Sequence, residues 1–173
     1  SGPRVIDVLR DATLVLAKAL ERLGDPFGIA AFASDGRDAV RYTTVKAFNA
    51  PFDARAGAAL AGLAPGYSTR LGAALRHAGA DIATRPTHRR LILLVTDGEP
   101  SDIDCPDPRY LVEDARRAVQ TLHARGIDVF CVGLGAGNEA ARTRVFGARR
   151  VVQIASVADL PEKLAILYLR LTA

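Results

Sequence analysis

The sequence predicts an α/β domain with a doubly wound, mostly parallel sheet and one antiparallel edge strand. Continuous apolar segments alternate with helical patterns along the chain, as is typical of parallel strands covered by helices on both faces. Hydrophobic residues make up 49% and charged residues 24% of the 173 residues, which is ordinary for a globular chain. No linker, repeat or low-complexity tract divides the sequence, so we expect one domain over residues 1–173.

The amino-terminal part predicts a long helix followed by a hairpin. Apolar residues keep helical spacing over 5–23, and Gly24 can end that helix. Residues 26–33 are typical of a buried strand. Residues 39–48 alternate and are β-branched, so we expect them to return antiparallel to that strand. A short helix is expected over 57–63.

The remaining sequence predicts three strands that alternate with helices. The expected strands cover 90–96, 127–135 and 150–155, and the expected helices cover 69–83, 110–125, 138–146 and 159–171. Each strand is a nearly continuous apolar run, as in a sheet that is buried on both faces. The chain opens with a helix, whereas a doubly wound sheet normally opens with a strand.

Composition predicts a protein of the reducing cytoplasm. The two cysteines, Cys105 and Cys131, cannot form a disulfide framework, and Cys131 is expected to be a buried thiol. No secretory leader opens the chain, and its apolar runs are too short to span a membrane. The net charge of +4 comes from scattered arginines without an interleaved aromatic stripe, so we expect neither a nucleic-acid nor a membrane partner.

Carboxylates gather where one apolar strand ends, in the segment "LILLVTDGEPSD" (91–102). Asp97 directly follows the strand, Gly98 lets the backbone turn, and Glu99 and Asp102 follow. Ligands of open α/β sheets bind at the carboxyl ends of strands. Carboxylates, hydroxyls and water suit Mg²⁺ or Mn²⁺. A solvated turn with a helix-capping carboxylate explains this stretch equally well.

A second segment, "GYSTRLGAAL" (66–75), places two hydroxyl groups before a helix. Ser68 or Thr69 can cap that helix, which is the simpler interpretation. The same hydroxyls can also approach a metal held by Asp97. Neither segment decides the matter alone.

Together the two segments resemble a von Willebrand factor A domain, and the resemblance extends over nearly the whole chain. In that family three loops build a metal-ion-dependent adhesion site. They carry Asp-x-Ser-x-Ser after the first strand, a threonine, and an aspartate in a Thr-Asp-Gly context. By register, Thr69 matches the threonine and Asp97 the aspartate. The resemblance therefore implies a Mg²⁺ (or Mn²⁺) site on these two residues, with Ser68, Gly98, Glu99 and Asp102 around it.

The sequence departs from the family pattern at the first loop. It contains no Asp-x-Ser-x-Ser, and its first residues resemble the helix that follows that motif. We expect the first, central strand to lie upstream in the native protein. Residues 1–173 alone would therefore form an incomplete metal site.

Within the family, "TDGEPSDIDCPDPRYLVEDARRAV" and "LPEKLAILYLRLT" resemble the carboxy-terminal domain of CbbO and NorD proteins. That resemblance implies an adaptor for a hexameric MoxR-type (CbbQ-like) AAA+ ATPase. Its client would be inhibited Rubisco for the CbbO type, or nitric oxide reductase for the NorD type. "DPRYLVEDARRAV" favours the CbbO type. A client carboxylate would complete the coordination of Mg²⁺, and the domain itself would catalyse nothing.

A cationic segment, "RTRVFGARR" (142–150), predicts a docking patch for an acidic partner surface, although a solvated helix end fits equally well. The patch residues would be Arg142, Arg144, Arg149 and Arg150.

The competing class is a Mg²⁺-dependent hydrolase or phosphotransferase. It would use Asp97 as metal ligand or nucleophile and Glu99 or Asp102 as base. The sequence offers no Ser–His–Asp or Cys–His pairing, no Walker-type loop and no histidine near these carboxylates. A binding module is therefore the preferred interpretation.

Overall fold

The computed structural model describes residues 3–24, 26–34, 40–62, 70–85, 90–96, 107–134, 139–163 and 166. In chain order these residues form α1 (Pro3–Leu23), β1 (Ile29–Ser34), β2 (Val40–Lys46), α2 (Ala54–Ala61), α3 (Leu71–Ala83), β3 (Arg90–Thr96), α4 (Pro108–Ala124), β4 (Ile127–Leu134), α5 (Glu139–Phe146) and β5 (Val151–Ile154). Short 3₁₀ helices cover Ala148–Arg150 and Val157–Asp159, and helical residues follow at 160–163 and 166. The predicted alternation of strands and helices is confirmed.

The strands form one parallel and one antiparallel sheet. β3, β4 and β5 lie side by side in that order and run parallel, with Leu94 opposite Cys131 and Cys131 opposite Val151. β1 and β2 form a separate antiparallel pair, with Phe32 opposite Tyr42. The predicted fold class, α/β with a mostly parallel sheet and an antiparallel strand, is confirmed. The strand expected at the sheet edge pairs with β1 in a separate sheet among the described residues.

Helices cover both faces of the parallel sheet, and successive side chains of β4, which point to opposite sides, pack with different helices. Val129 and the buried thiol of Cys131 pack with α3, α4 and α5. Phe130 and Val132 pack with α1 and with Leu160 on the other face. This two-sided burial explains the uninterrupted apolar sequence of β4. Among the helices that the structure describes, none combines the length and apolar character needed to cross a bilayer.

β3 is equally apolar in sequence but is less well covered than β4. Of its seven residues only Leu94 is buried, whereas all but one of the eight residues of β4 are buried. Within the described part of the chain, β3 pairs with β4 on one side and with no strand on the other. The further central strand expected from the sequence stays a prediction.

Local capping explains where two helices begin. α2 begins at Ala54, three residues before its predicted start, because the Asp53 carboxylate accepts a hydrogen bond from the backbone N–H of Ala56 at 3.1 Å. α4 begins at Pro108, a favoured first helical position, and the Asp107 carboxylate accepts from the N–H of Arg109 at 3.0 Å.

Two glycines bring α3 and α4 into close contact. A Cβ atom at Gly72 would lie 2.2 Å from Oδ2 of Asp114, and one at Gly79 would lie 2.3 Å from Cδ2 of Leu122. The pairing of 72 with 114 and of 79 with 122 means that the two helices run parallel. α4 leads directly into β4 at the amino edge of the sheet, so both helices begin at its carboxyl edge.

Candidate functional site

The predicted metal-site residues lie in two segments outside the described residues. Those segments cover 63–69 and 97–106 and contain Ser68, Thr69, Asp97, Gly98, Glu99 and Asp102. Their metal-binding and rim roles stay predictions. Among the residues that are described, no group of three or more His, Cys, Asp or Glu side chains is arranged to hold a metal ion.

The elements that flank these two segments are described, and the end of β3 and the start of α3 meet in one hydrophobic core. β3 ends at Thr96, directly before Asp97, and α3 begins at Leu71, two residues after Thr69. Leu71 and Leu94 are 3% and 7% exposed and belong to the same core cluster. The two chain segments therefore reach the carboxyl edge of the sheet from a shared hydrophobic core.

An ion pair fixes the start of α3 against α4. Arg76 Nη2 donates to Oδ1 of Asp114 at 2.8 Å, and Nη1 donates to Oδ2 at 3.2 Å. This hydrogen bonding raises the pKa of Arg76, against the opposing effect of partial burial. The pair lies beside Gly72, so it constrains the first turns of α3, which continue the predicted threonine loop.

Arg142 lies in the interior and not in the predicted exposed patch. It is 3% exposed, and its Nη1 donates to Oε1 of Gln153 at 2.7 Å. Its Nη2 donates to the carbonyl oxygen of Leu134 at 3.4 Å. A Cβ atom at Gly133 would lie 2.6 Å from Gln153 Oε1 and 2.7 Å from Arg142 Nη1. Arg142 thus joins the carboxyl ends of β4 and β5, and its inclusion in a docking surface was wrong.

Two other arginines of that segment contact different elements of the fold. Arg144 Nε donates to Oε1 of Glu113 on α4 at 2.8 Å. Arg150 lies towards β4, with Nη2 4.0 Å from Oδ1 of Asp128 and its guanidinium carbon 5.9 Å from the centre of the Phe130 ring. Arg149 is exposed. Arg144 thus contacts α4, whereas Arg150 lies towards β4. A docking role for Arg144, Arg149 and Arg150 stays a prediction.

A cleft that the sequence did not indicate lies between α5, β5 and the helical residues after Leu160. Its volume is about 230 Å³, below the usual range for small-molecule sites. Its walls combine opposite charges with apolar groups, from Glu139, Thr143, Ala148, Val151, Val152, Gln153, Lys163 and Ile166. The predicted metal-site residues are not among them.

Sequence comparison identifies the family and several named relatives. The family model for the von Willebrand factor type A domain matches residues 3–163. A protein named NorD from Brucella melitensis is 40% identical over 165 residues, which is 95% of this chain and 26% of that protein. NorD from Stutzerimonas stutzeri is 41% identical over 129 residues, which is 75% of this chain and 21% of that protein. The chain thus spans about a quarter of the length of these relatives.

Solved structures share the fold at low sequence identity. A von Willebrand factor type A protein from Catenulispora acidiphila has a TM-score of 0.65 and 22% identity, covering 95% of this chain and 37% of its own. BatB from Bacteroides thetaiotaomicron has a TM-score of 0.64 and 18% identity, covering 95% and 89%. Proximal thread matrix protein 1 from the mussel byssus, described with a zinc-occupied MIDAS motif, has a TM-score of 0.64 and 19% identity, covering 94% and 41%. With the family model matched over residues 3–163 and the fold shared, this chain belongs to the von Willebrand factor type A domain family.

Proposed function

We propose that this chain is the metal-dependent protein-binding domain of a NorD-type adaptor. It would bring nitric oxide reductase to a MoxR-type AAA+ ATPase for activation. The observation that carries this choice is the 40% identity to a protein named NorD over 95% of the chain. The relatives reported above favour the NorD type, and the expected CbbO type with Rubisco as its client finds no support among them.

The contact to the client would be a carboxylate that completes the coordination of a bound divalent ion. Thr69 and Asp97 would hold that ion, because hydroxyl and carboxylate oxygens suit Mg²⁺ or Mn²⁺. Support comes from the shared core of Leu71 and Leu94. This core brings the start of α3 and the end of β3 to the same edge of the sheet. The zinc-occupied motif of the mussel protein shows that a related fold accepts a divalent ion.

A capture experiment tests this function. The native-length protein is immobilised and exposed to nitric oxide reductase in Mg²⁺ and then in EDTA, with Asp97→Ala alongside. Asp11→Ala serves as the matched control, since Asp11 is an exposed carboxylate on α1, which packs on the other face of the sheet. We expect capture in Mg²⁺ by the unaltered protein and by Asp11→Ala, and none in EDTA or by Asp97→Ala.

Two results would contradict the proposal. Capture of inhibited Rubisco, and not of nitric oxide reductase, would restore the CbbO-type client. A Mg²⁺-dependent phosphatase activity that Asp97→Asn abolishes would replace the adaptor with an enzyme. Circular dichroism of each variant shows whether folding is intact.

A further inference from the structure

We propose that the outer side of α4, together with Arg144 of α5, is a docking surface for an acidic segment of a partner protein. We call it the α4 arginine surface and define it by Arg109, Tyr110, Glu113, Arg116, Arg117 and Arg144. This contact goes beyond the proposed client contact, because it uses helix side chains and no metal ion.

These α4 residues share one side of the helix. Arg109, Glu113 and Arg116 follow each other at spacings of four and three, and Tyr110, Glu113 and Arg117 at spacings of three and four, so each set is aligned. The Arg109 side chain is 93% exposed and Tyr110 is 54% exposed. A large exposed aromatic residue between cations is a composition found at the centres of protein interfaces.

Glu113 holds two of the four arginines of this surface in place. Its Oε1 accepts from Arg144 Nε at 2.8 Å, and its Oε2 lies 3.6 Å from Arg116 Nη1. The hydrogen bond from Arg144 lowers the pKa of Glu113, and the positive charge of Arg116 adds to the effect, so the carboxylate is ionised at neutral pH. Two guanidinium groups from different helices are therefore oriented before any partner arrives.

Several guanidinium donors of this surface stay open to a ligand. Arg144 donates to Glu113 through Nε, and its side chain is 54% exposed, so its two terminal nitrogens remain accessible to a ligand. Arg117 is exposed and forms no ion pair with any residue in the described part of the chain. Among the residues that the structure describes, four arginines here face two carboxylates, Glu113 and Asp107, and the latter lies 3.7 Å from Arg109. The surface therefore carries an excess of positive charge.

This arrangement fits discrete carboxylates better than a continuous polyanion. Guanidinium groups bind carboxylates through paired, directional hydrogen bonds. The Glu113 carboxylate at the centre would repel a phosphate backbone laid across the surface, whereas side-chain carboxylates can reach the arginines on either side of it. Tyr110 offers packing area for an apolar side chain of the same partner segment.

The test measures the affinity of a short, fluorescently labelled glutamate-rich peptide by anisotropy, with the native-length protein in EDTA. The variant Arg116→Glu/Arg117→Glu is compared with Lys18→Glu/Arg22→Glu, which makes the same charge change at exposed positions of α1, on the other face of the sheet. We expect the first variant to weaken binding by at least about tenfold, because opposing like charges are costly at an interface. The α1 variant should bind nearly as the unaltered protein does.

Equal weakening by the two variants would overturn the proposal, since it would show a response to net charge alone. Preferential displacement of the peptide by an oligonucleotide, lost in the α4 variant, would also overturn it and assign the surface to nucleic acid. Because the titration contains no free metal ion, a failure here is distinct from a failure of metal-dependent client capture.

Discussion

Asp114 accepts two hydrogen bonds from Arg76, and its neighbour Glu113 accepts one from Arg144. Two consecutive acids on α4 therefore reach arginines on α3 and on α5, one on each side. The row of ion pairs links three helices packed on one face of the sheet. The Arg76–Asp114 pair also fixes the position of the first turns of α3. Because Thr69 lies two residues before the start of this helix, the pair influences where the predicted metal-binding threonine lies.

Asp114→Ala should loosen the start of α3. We expect a loss of about 1 kcal/mol in the free energy of unfolding, because the pair is bidentate but partly solvent-screened. Urea denaturation measures that loss, and Asp11→Ala is the control for removal of an exposed helical carboxylate. If the proposed metal site depends on α3, client capture should weaken as well. An unchanged urea midpoint would show that the ion pair contributes nothing.

Gly79→Ala should destabilise the protein by about 1–3 kcal/mol, since its Cβ atom would press on the buried side chain of Leu122. The matched control is Gly57→Ala in α2, where a Cβ atom meets nothing within 4 Å. For Gly57→Ala we expect the free energy of unfolding to increase by about 0.5–1 kcal/mol, because alanine has a better helix propensity than glycine. Urea denaturation of both variants is the measurement. Equal effects would refute close packing at Gly79.

Gly133→Ala should be much more destabilising while Arg142 is present than in its absence. Its Cβ atom would displace the Arg142–Gln153 pair from above β4, at an expected cost of about 1–3 kcal/mol. In an Arg142→Ala background most of that cost should vanish, because the clashing guanidinium is absent. A double-mutant cycle from urea denaturation measures this coupling. Additive effects would mean that the two residues do not act together.

His123 should make stability depend on pH on the acidic side of neutrality. Its Nε2 accepts a long hydrogen bond from the backbone N–H of Val129 at 3.4 Å, which requires the neutral ring. Burial lowers the pKa of His123, Arg150 lowers it further, and Asp128 opposes them. The unfolded chain, with an ordinary histidine pKa of about 6.5, therefore binds the proton first as pH falls. The stability from this group is present above that pH and is lost below it.

The measurement is the urea midpoint at about pH 7.5 and about pH 5.5, on either side of the ordinary histidine pKa. The loss on acidification should be smaller in His123→Gln than in the unaltered protein. An identical loss in both proteins would remove His123 as its source.

Sequence patterns identified β3 well because a continuous apolar run leaves few alternatives, and its observed bounds match the predicted ones at 90–96. The start of α2 was placed too late because the capping role of Asp53 depends on its backbone conformation. Arg142 was assigned to the surface because neighbouring arginines usually are exposed. Its spacing of three and four to the buried Val145 and Phe146 already indicated the interior side of α5.

Other parts of the site lay beyond sequence reasoning. Gln153 meets Arg142 only because β5 lies beside β4, a pairing that no local pattern reveals. The link between Glu113 and Arg144 likewise depends on the packing of α4 against α5. Thr69 and Asp97 were assigned through a family resemblance, and the described residues support only the convergence of the elements beside them.

The side of β3 that faces away from β4, which no described strand covers, bears on how this chain behaves at high concentration. A strand edge that lacks a partner can template pairing with another molecule, most readily when it is apolar and uncharged. Leu91, Leu93 and Val95 are only partly buried on the face that packs towards α1. Within the described residues no strand pairs with β3 on the side away from β4. Self-association of this 173-residue chain should therefore begin with backbone pairing along β3.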